Sequence, residues 1–355
     1  MRRAPALIVG GGPAGAAAAI VLARAGAMPL VIERSPGPRD VVCGGFLGWD
    51  AIAALKRLGL DPHALGARPI QRLRLVAGAR AIEAKLPATA AGLSRRALDA
   101  ALLARAGEAG TTVLRGRAAR AVAEGGVRLE DGEEIAAGAL FLATGKHELR
   151  GAAREIGERP VSVGLRAALP ASPRLATALA GTIELYLFDG GYAGLLLQED
   201  GNANLCLSVA RGRMAAAGAA AALFEALAGE APLLIERIGA AMPDRWEAIA
   251  GVPYGWRALA SAPGRYRIGD QAAVIASLAG VGIAVALTSG IAAAHAFLHG
   301  DTGYQAAFAR RAARPIAVAE VLRKMAESPH WRGAMMALAG VPGVARAAAR
   351  LTRIG

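Results

Sequence analysis

Cysteine, lysine and aromatic residues are scarce in this chain of 355 residues, and each scarcity removes a class of protein. Two cysteines, Cys43 and Cys206, build neither a disulfide framework nor a zinc site, so a reducing cytoplasm is the expected compartment. Aromatic side chains make up 4% of residues, and no recognition helix, finger or aromatic-basic repeat is visible, which speaks against nucleic acid as a partner. No metal-ligand spacing and no Ser/His/Asp set stands out. The first residues run from a basic tip through a few apolar positions into glycines, the pattern of a β-strand rather than a signal peptide. Uninterrupted apolar runs are short as well. The longest nearly uncharged stretch, 271–299, is split by Gly280 and Gly282, holds Thr288-Ser289-Gly290 and follows Asp270. It reads as strand, turn and buried helix rather than a membrane span.

What is abundant is aliphatic and basic. Hydrophobic residues reach 54% and mean hydropathy is +0.37, which excludes a disordered chain and leaves one large domain or two interleaved ones. Lys and Arg number 41 against 28 acidic residues, a net charge of +13, with lysine only at positions 56, 85, 146 and 324. Codon usage that favours Ala, Gly and Arg explains this as well as an electropositive surface drawing anions, acidic lipid headgroups or an acidic carrier. Residues 301–355 hold nine basic and three acidic side chains. A basic amphipathic helix there lies either on an anionic membrane or over the rest of the fold with a solvated Arg face. Cytoplasmic, with a peripheral place at the inner face of the membrane as the variant, is the expected localisation.

Local patterns place most elements. Residues 5–9 and 29–33 read as strands flanking a glycine turn and an Ala-rich helix that ends near Ala25, the βαβ unit of a dinucleotide-binding fold. A helix is expected at 50–58, a hairpin at 70–86, and a helix at 94–110 capped by Ser94 and stopped by Gly110. Short strands follow at 112–117, 119–124, 127–130 and 134–143. Strands near 182–188, 192–198 and 203–210, separated by Asp189-Gly190-Gly191 and Asp200-Gly201-Asn202, predict an antiparallel meander. Residues 215–249 read as helical, 266–275 as a strand broken by Gly269-Asp270, and the chain beyond 285 as helix.

Gly10, Gly12 and Gly15 satisfy GxGxxG in the required strand–turn–helix context. Gly10 permits the turn, Gly12 lets a pyrophosphate reach N–H groups at a helix N-terminus, and Gly15 allows close helix–strand packing. Glu33, at the end of the second strand, is placed to accept from adenosine ribose hydroxyls. This motif does not separate FAD from NAD.

Four blocks together resemble the FAD-dependent oxidoreductase superfamily of aromatic hydroxylases and geranylgeranyl reductases, nearest its reductase-like branch. They are Val9–Gly15 with Glu33, Val42–Leu47 with its Cys-Gly-Gly, Arg95–Asp99, and Gly269-Asp270 with Gly280–Ile283 and Ser289-Gly290. The resemblance implies noncovalent FAD held by Gly10, Gly12, Pro13, Ala14, Gly15, Glu33, Arg34, Cys43, Gly44, Gly45, Arg95, Ala119, Thr144, Gly145, Asp270, Gly280, Gly282 and Ile283. NAD(P)H or another reductant would be the electron donor. The fold it implies is α/β: a three-layer Rossmann-type FAD-binding domain of parallel sheet plus β-meander, an interleaved antiparallel-sheet substrate domain, and C-terminal helices. The expected segments are 1–70, 94–150 and 264–300 for FAD, 71–93 and 151–263 for substrate, and 301–355 for the helices. Departures occur where hydroxylases carry Asp-Gly (Ala143–Lys146 here), Pro (Ser277) and Asn (Ala284).

Cys43 reads as a proton donor or contact near the flavin, or as a small residue packed under the ring. Tyr192, after Gly190-Gly191, resembles a residue lining the substrate cavity, where it would orient substrate, donate a proton or simply pack. Cys206 and His295 are expected in the core, and His147 in a surface loop. The leading activity is hydride transfer from reduced FAD to a double bond of a hydrophobic lipid-, isoprenoid- or polyketide-like small molecule. The alternatives are O₂-dependent hydroxylation of an aromatic or polyketide substrate, and flavin binding without turnover.

Overall fold

The strand Arg2–Val9 pairs in parallel with Leu30–Glu33 on one side and Glu134–Leu142 on the other, and its residues Ala6, Leu7, Ile8 and Val9 are buried on both faces. That is what a parallel strand covered by helices requires. The computed structural model describes residues 2–239, 242–243 and 245–354. Thr112–Arg115 extends this sheet past Leu30–Glu33, and Ala119–Ala123 and Gly126–Leu129 join Glu134–Leu142 as an antiparallel meander. Helix Pro13–Arg24 follows the glycine turn, and helix Arg95–Glu108 starts at Ser94, whose hydroxyl accepts from the Ala97 N–H at 3.0 Å.

Eight strands form the second sheet, with Glu247–Val252 at one edge and Phe46–Leu47 at the other. All neighbours are antiparallel except Arg68–Ala77 and Thr182–Phe188, which run parallel. Helices Ala220–Glu230 and Pro232–Ile238 cover one face through Leu223, Phe224, Leu227 and Leu234. The expected helix over 215–249 is corrected here. Three short helices end at Ile238, and Glu247–Val252 is an edge strand paired with Ser162–Arg166. Ala240, Ala241 and Asp244 lie outside the described residues. The strand expected over 266–275 is likewise reduced to Arg265–Arg267, because Gly269 at φ +62° turns the chain.

Gly282–His299 is the one described helix long and apolar enough to cross a membrane, and most of its residues are core, packed on Pro13–Arg24. His295 on this helix is exposed, contrary to the core position expected for it. Helices Tyr304–Glu327, Pro329–Ala339 and Val344–Leu351 complete the chain.

A fully buried carboxylate, Glu184, ties the second sheet to its covering helices. Arg237 donates to both of its oxygens at 3.0 Å, and Arg74 and the Tyr186 hydroxyl also donate to it. Hydrogen bonds to charged groups carry about 1.5–3 kcal/mol each. Glu184→Gln is therefore expected to cost about 2 kcal/mol, measured as an earlier urea midpoint with an unchanged slope. An unchanged midpoint would show that the cluster adds nothing to stability.

Candidate active site

One continuous cavity of about 1370 Å³ lies between the two sheets. Single small-molecule pockets run about 300–1,000 Å³, so this one has room for a dinucleotide and a second molecule. Every residue expected to hold a cofactor lines it, apart from Gly15. Gly15 sits behind the wall, where a Cβ would stand 2.0 Å from the Gly10 carbonyl oxygen, so it serves helix–strand packing. Gly10 has φ +108°, and a Cβ there would lie 2.4 Å from the Ala143 carbonyl oxygen. Both requirements are backbone collisions that only glycine avoids.

At one end of the cavity the Glu33 carboxylate accepts from the Gly11 N–H at 2.7 Å and the Ser35 N–H at 2.8 Å. These bonds orient it beside the N-terminus of helix Pro13–Arg24, whose N–H groups and dipole favour an anion. Arg95 donates to both Asp99 oxygens at 2.8 and 2.7 Å. Burial works against its charge, yet Asp99 holds the guanidinium above its usual value. His147 stands exposed at the rim, as its loop position predicted. Partial desolvation by its neighbours at the rim, and then the charges of Arg34 and Arg39, push its pKa down, and Arg34 reaches its Nε2 at 2.7 Å.

The Cys-Gly-Gly loop is fastened to the second sheet by side chains that sequence reasoning missed. Arg166, 5% exposed, reaches Asp40 at 3.1 Å and Glu247 at 3.2 Å and donates to Asn204 Oδ1 at 2.8 Å. Asn204 Nδ2 then donates to the Cys43 carbonyl at 3.0 Å. Cys206, expected in the core, borders the same cavity, and burial pushes its thiol up to about 12.

Lys146 is the other side chain that spacing did not single out. Its Nζ is 3.2 Å from Asp270, which holds the ammonium above the usual lysine value. Buried Arg154 donates to the backbone carbonyls of Asp270 at 3.1 Å and Lys146 at 3.0 Å, locking the two loops together. Beyond Asp270, a Cβ on Gly282 would meet nothing within 4 Å, so the N-terminus of Gly282–His299 opens into the cavity. Two helix N-termini, the Glu33 carboxylate, Arg95 and the Asp270 loop make a donor and acceptor set that fits FAD.

The cavity wall also holds three linked hydroxyls. Tyr192 and Ser277 oxygens are 2.6 Å apart, Tyr254 and Ser277 oxygens are 2.9 Å apart, and the Leu278 N–H donates to Tyr192 at 3.0 Å. Burial pushes the Tyr192 phenol well above its usual value. Part of the lining is apolar, with Leu75, Leu185 and Leu196 from the sheet and Met325 and Met335 from the C-terminal helices. The basic C-terminal segment thus supplies a wall of the cavity.

A family model described as FAD binding domain matches residues 3–151. The chain is 29% identical to a menaquinone reductase of Mycolicibacterium smegmatis over 331 residues, 86% of this chain and 79% of that one. A geranylgeranyl bacteriochlorophyll reductase-like protein of Thermoplasma acidophilum superposes with a TM-score of 0.78 at 20% identity, over 99% of this chain and 97% of that one. PqsL of Pseudomonas aeruginosa, in complex with 2-aminobenzoylacetate, gives a TM-score of 0.74 at 20% identity, over 95% of this chain and all of that one. These two structures share the fold.

Proposed function

We propose that this chain, an FAD-dependent oxidoreductase with an FAD-binding domain at its N-terminus, reduces a double bond in a hydrophobic, isoprenoid-bearing lipid of the quinone kind. The observation that carries the reading is one cavity lined both by the glycine turn, Glu33, Arg95 and Asp270 and by apolar side chains such as Leu75, Leu185, Leu196, Met325 and Met335. The menaquinone reductase relative, matched over most of both chains, supports the lipid class.

Bound and reduced, FAD supplies a hydride. The residues of this chain do the rest. Glu33, Arg95 and the N-terminus of Pro13–Arg24 hold the dinucleotide, and Arg154 keeps the Lys146 and Asp270 loops at the reactive end. The leucine and methionine walls bind the lipid and exclude water from it. Saturating a C=C bond takes a proton as well as a hydride. Tyr192 stays protonated at neutral pH and is held by Ser277 and the Leu278 N–H, so it is the group placed to give that proton.

Anaerobic single turnover separates this reading from hydroxylation. Photoreduced, FAD-loaded protein mixed with a short-chain menaquinone should yield, without O₂, reoxidised flavin and a product that is still heavier by two hydrogens after its ring has been reoxidised to the quinone. A product that forms only with O₂ and gains one oxygen atom would sink the proposal.

A further inference from the structure

The C-terminal helices have a second face. Along Tyr304–Glu327 the exposed residues Arg310, Arg314, Val321 and Lys324 follow at steps of four, seven and three, one stripe of a helix. On Val344–Leu351 the exposed Arg346 and Arg350 stand four apart, while Ala345, Ala348 and Ala349 line the cavity. The acidic residues nearby are already engaged: Glu320 and Glu327 pair with Arg323, and Asp301 accepts from the Gly303 N–H. Among the described residues these five cations therefore have no ion-pair partner.

Large apolar side chains also stand exposed between these two helices in the chain, on Pro329–Ala339 and just after it. Trp331 is 62% exposed and Leu338, seven residues on along the same helix face, is 51% exposed; Val341 is 49% exposed. Leu338 also lines the cavity, so the cavity mouth opens at this patch. Unpaired cations on the two flanking helices, together with an exposed tryptophan and aliphatic side chains on the helix between them, match an anionic bilayer surface, where the ring sits at headgroup level and Lys and Arg meet lipid phosphates.

We infer that the outer face of residues 304–351 docks on an anionic lipid bilayer, with the cavity mouth at Leu338 turned toward the lipid. Docking rests on the proposed function only for what enters through that mouth. An acidic protein would answer the cations but leaves Trp331 and Val341 without a role.

The test uses full-length, FAD-loaded protein and no substrate, so it is read independently of turnover. Vesicles of equal parts phosphatidylglycerol and phosphatidylcholine should sediment the protein, and pure phosphatidylcholine vesicles should bind it far more weakly. Raising salt shortens the Debye length and should release most of it, leaving a weaker apolar remainder. Arg310→Glu, Arg314→Glu, Arg346→Glu and Arg350→Glu combined should weaken binding at least about tenfold with flavin content unchanged. Trp331→Ser with Val341→Ser should remove the binding that survives salt. Failure of the wild type to sediment with the anionic vesicles, or equal binding by the charge-reversed variant, would overturn the inference. Equal binding to neutral vesicles would do so too.

Discussion

Replacing Gly290 with valine is expected to give a protein that purifies nearly without flavin. A Cβ on Gly290 would stand 2.2 Å from the Ala14 carbonyl oxygen and 3.2 Å from the Ala18 N, both backbone atoms that cannot swing aside. Helix Gly282–His299 would have to lift off helix Pro13–Arg24. Overpacking of this kind costs about 1–3 kcal/mol or more, and the strain falls on the cofactor site. The lifted helix carries the open N-terminus at Gly282 and, through Ser289 Oγ accepting from the Gly269 N–H at 2.8 Å, the loop that holds Asp270. FAD affinity, read by titration of the flavin-stripped protein, should fall at least about tenfold, as a loss of 1.4 kcal/mol or more in binding implies. Ser289→Ala, which removes only the loop bond, should fall between. Full flavin content at wild-type affinity in Gly290→Val would show that the helix contact has slack and does not set the site.

What the sequence made legible was local. Gly10, Gly12 and Gly15 act through spacings of a few residues, Glu33 follows within the same βαβ unit of about 30 residues, and the Ser94 cap and the Asp189-Gly190-Gly191 turn need only neighbouring backbone. Features decided by distant pairing were hidden. Residues 247–252 follow an Ala- and Leu-rich helical stretch, so local propensity extended the helix over them. Their strand exists because Ser162–Arg166 offers an edge to pair with. Lys146 meets Asp270 from far along the chain, and no spacing announces it. Arg154 and Arg166 were concealed by abundance: in a chain with 41 basic residues, nothing local distinguishes a buried guanidinium that fastens a loop from a solvated one. Alanine blurs the C-terminal helices in the same way. Val344–Leu351 turns Ala345, Ala348 and Ala349 to the cavity and Ala347 to solvent, so composition does not tell the inner face from the outer.

Tyr192→Phe is the substitution that tests the chemistry rather than the scaffold. The ring is buried, so phenylalanine keeps its packing and removes one oxygen. That oxygen is bonded to Ser277 and accepts from the Leu278 N–H, beside the Gly280–Gly282 turn. If Tyr192 gives the proton that accompanies hydride transfer, turnover should fall about 10²–10⁴-fold, the usual span of general acid catalysis, while flavin content and lipid affinity hold. Because burial raises its pKa, the wild-type rate should stay flat from neutral pH through the ordinary tyrosine range, where a solvated phenol would already have lost its proton. Ser277→Ala removes the partner but leaves the phenol in place, so it should retain more activity than Tyr192→Phe. A Tyr192→Phe enzyme with wild-type turnover and an unchanged pH profile would return Tyr192 to the role of a packed side chain. The proton would then have to come from Cys43 or from water admitted at the cavity mouth.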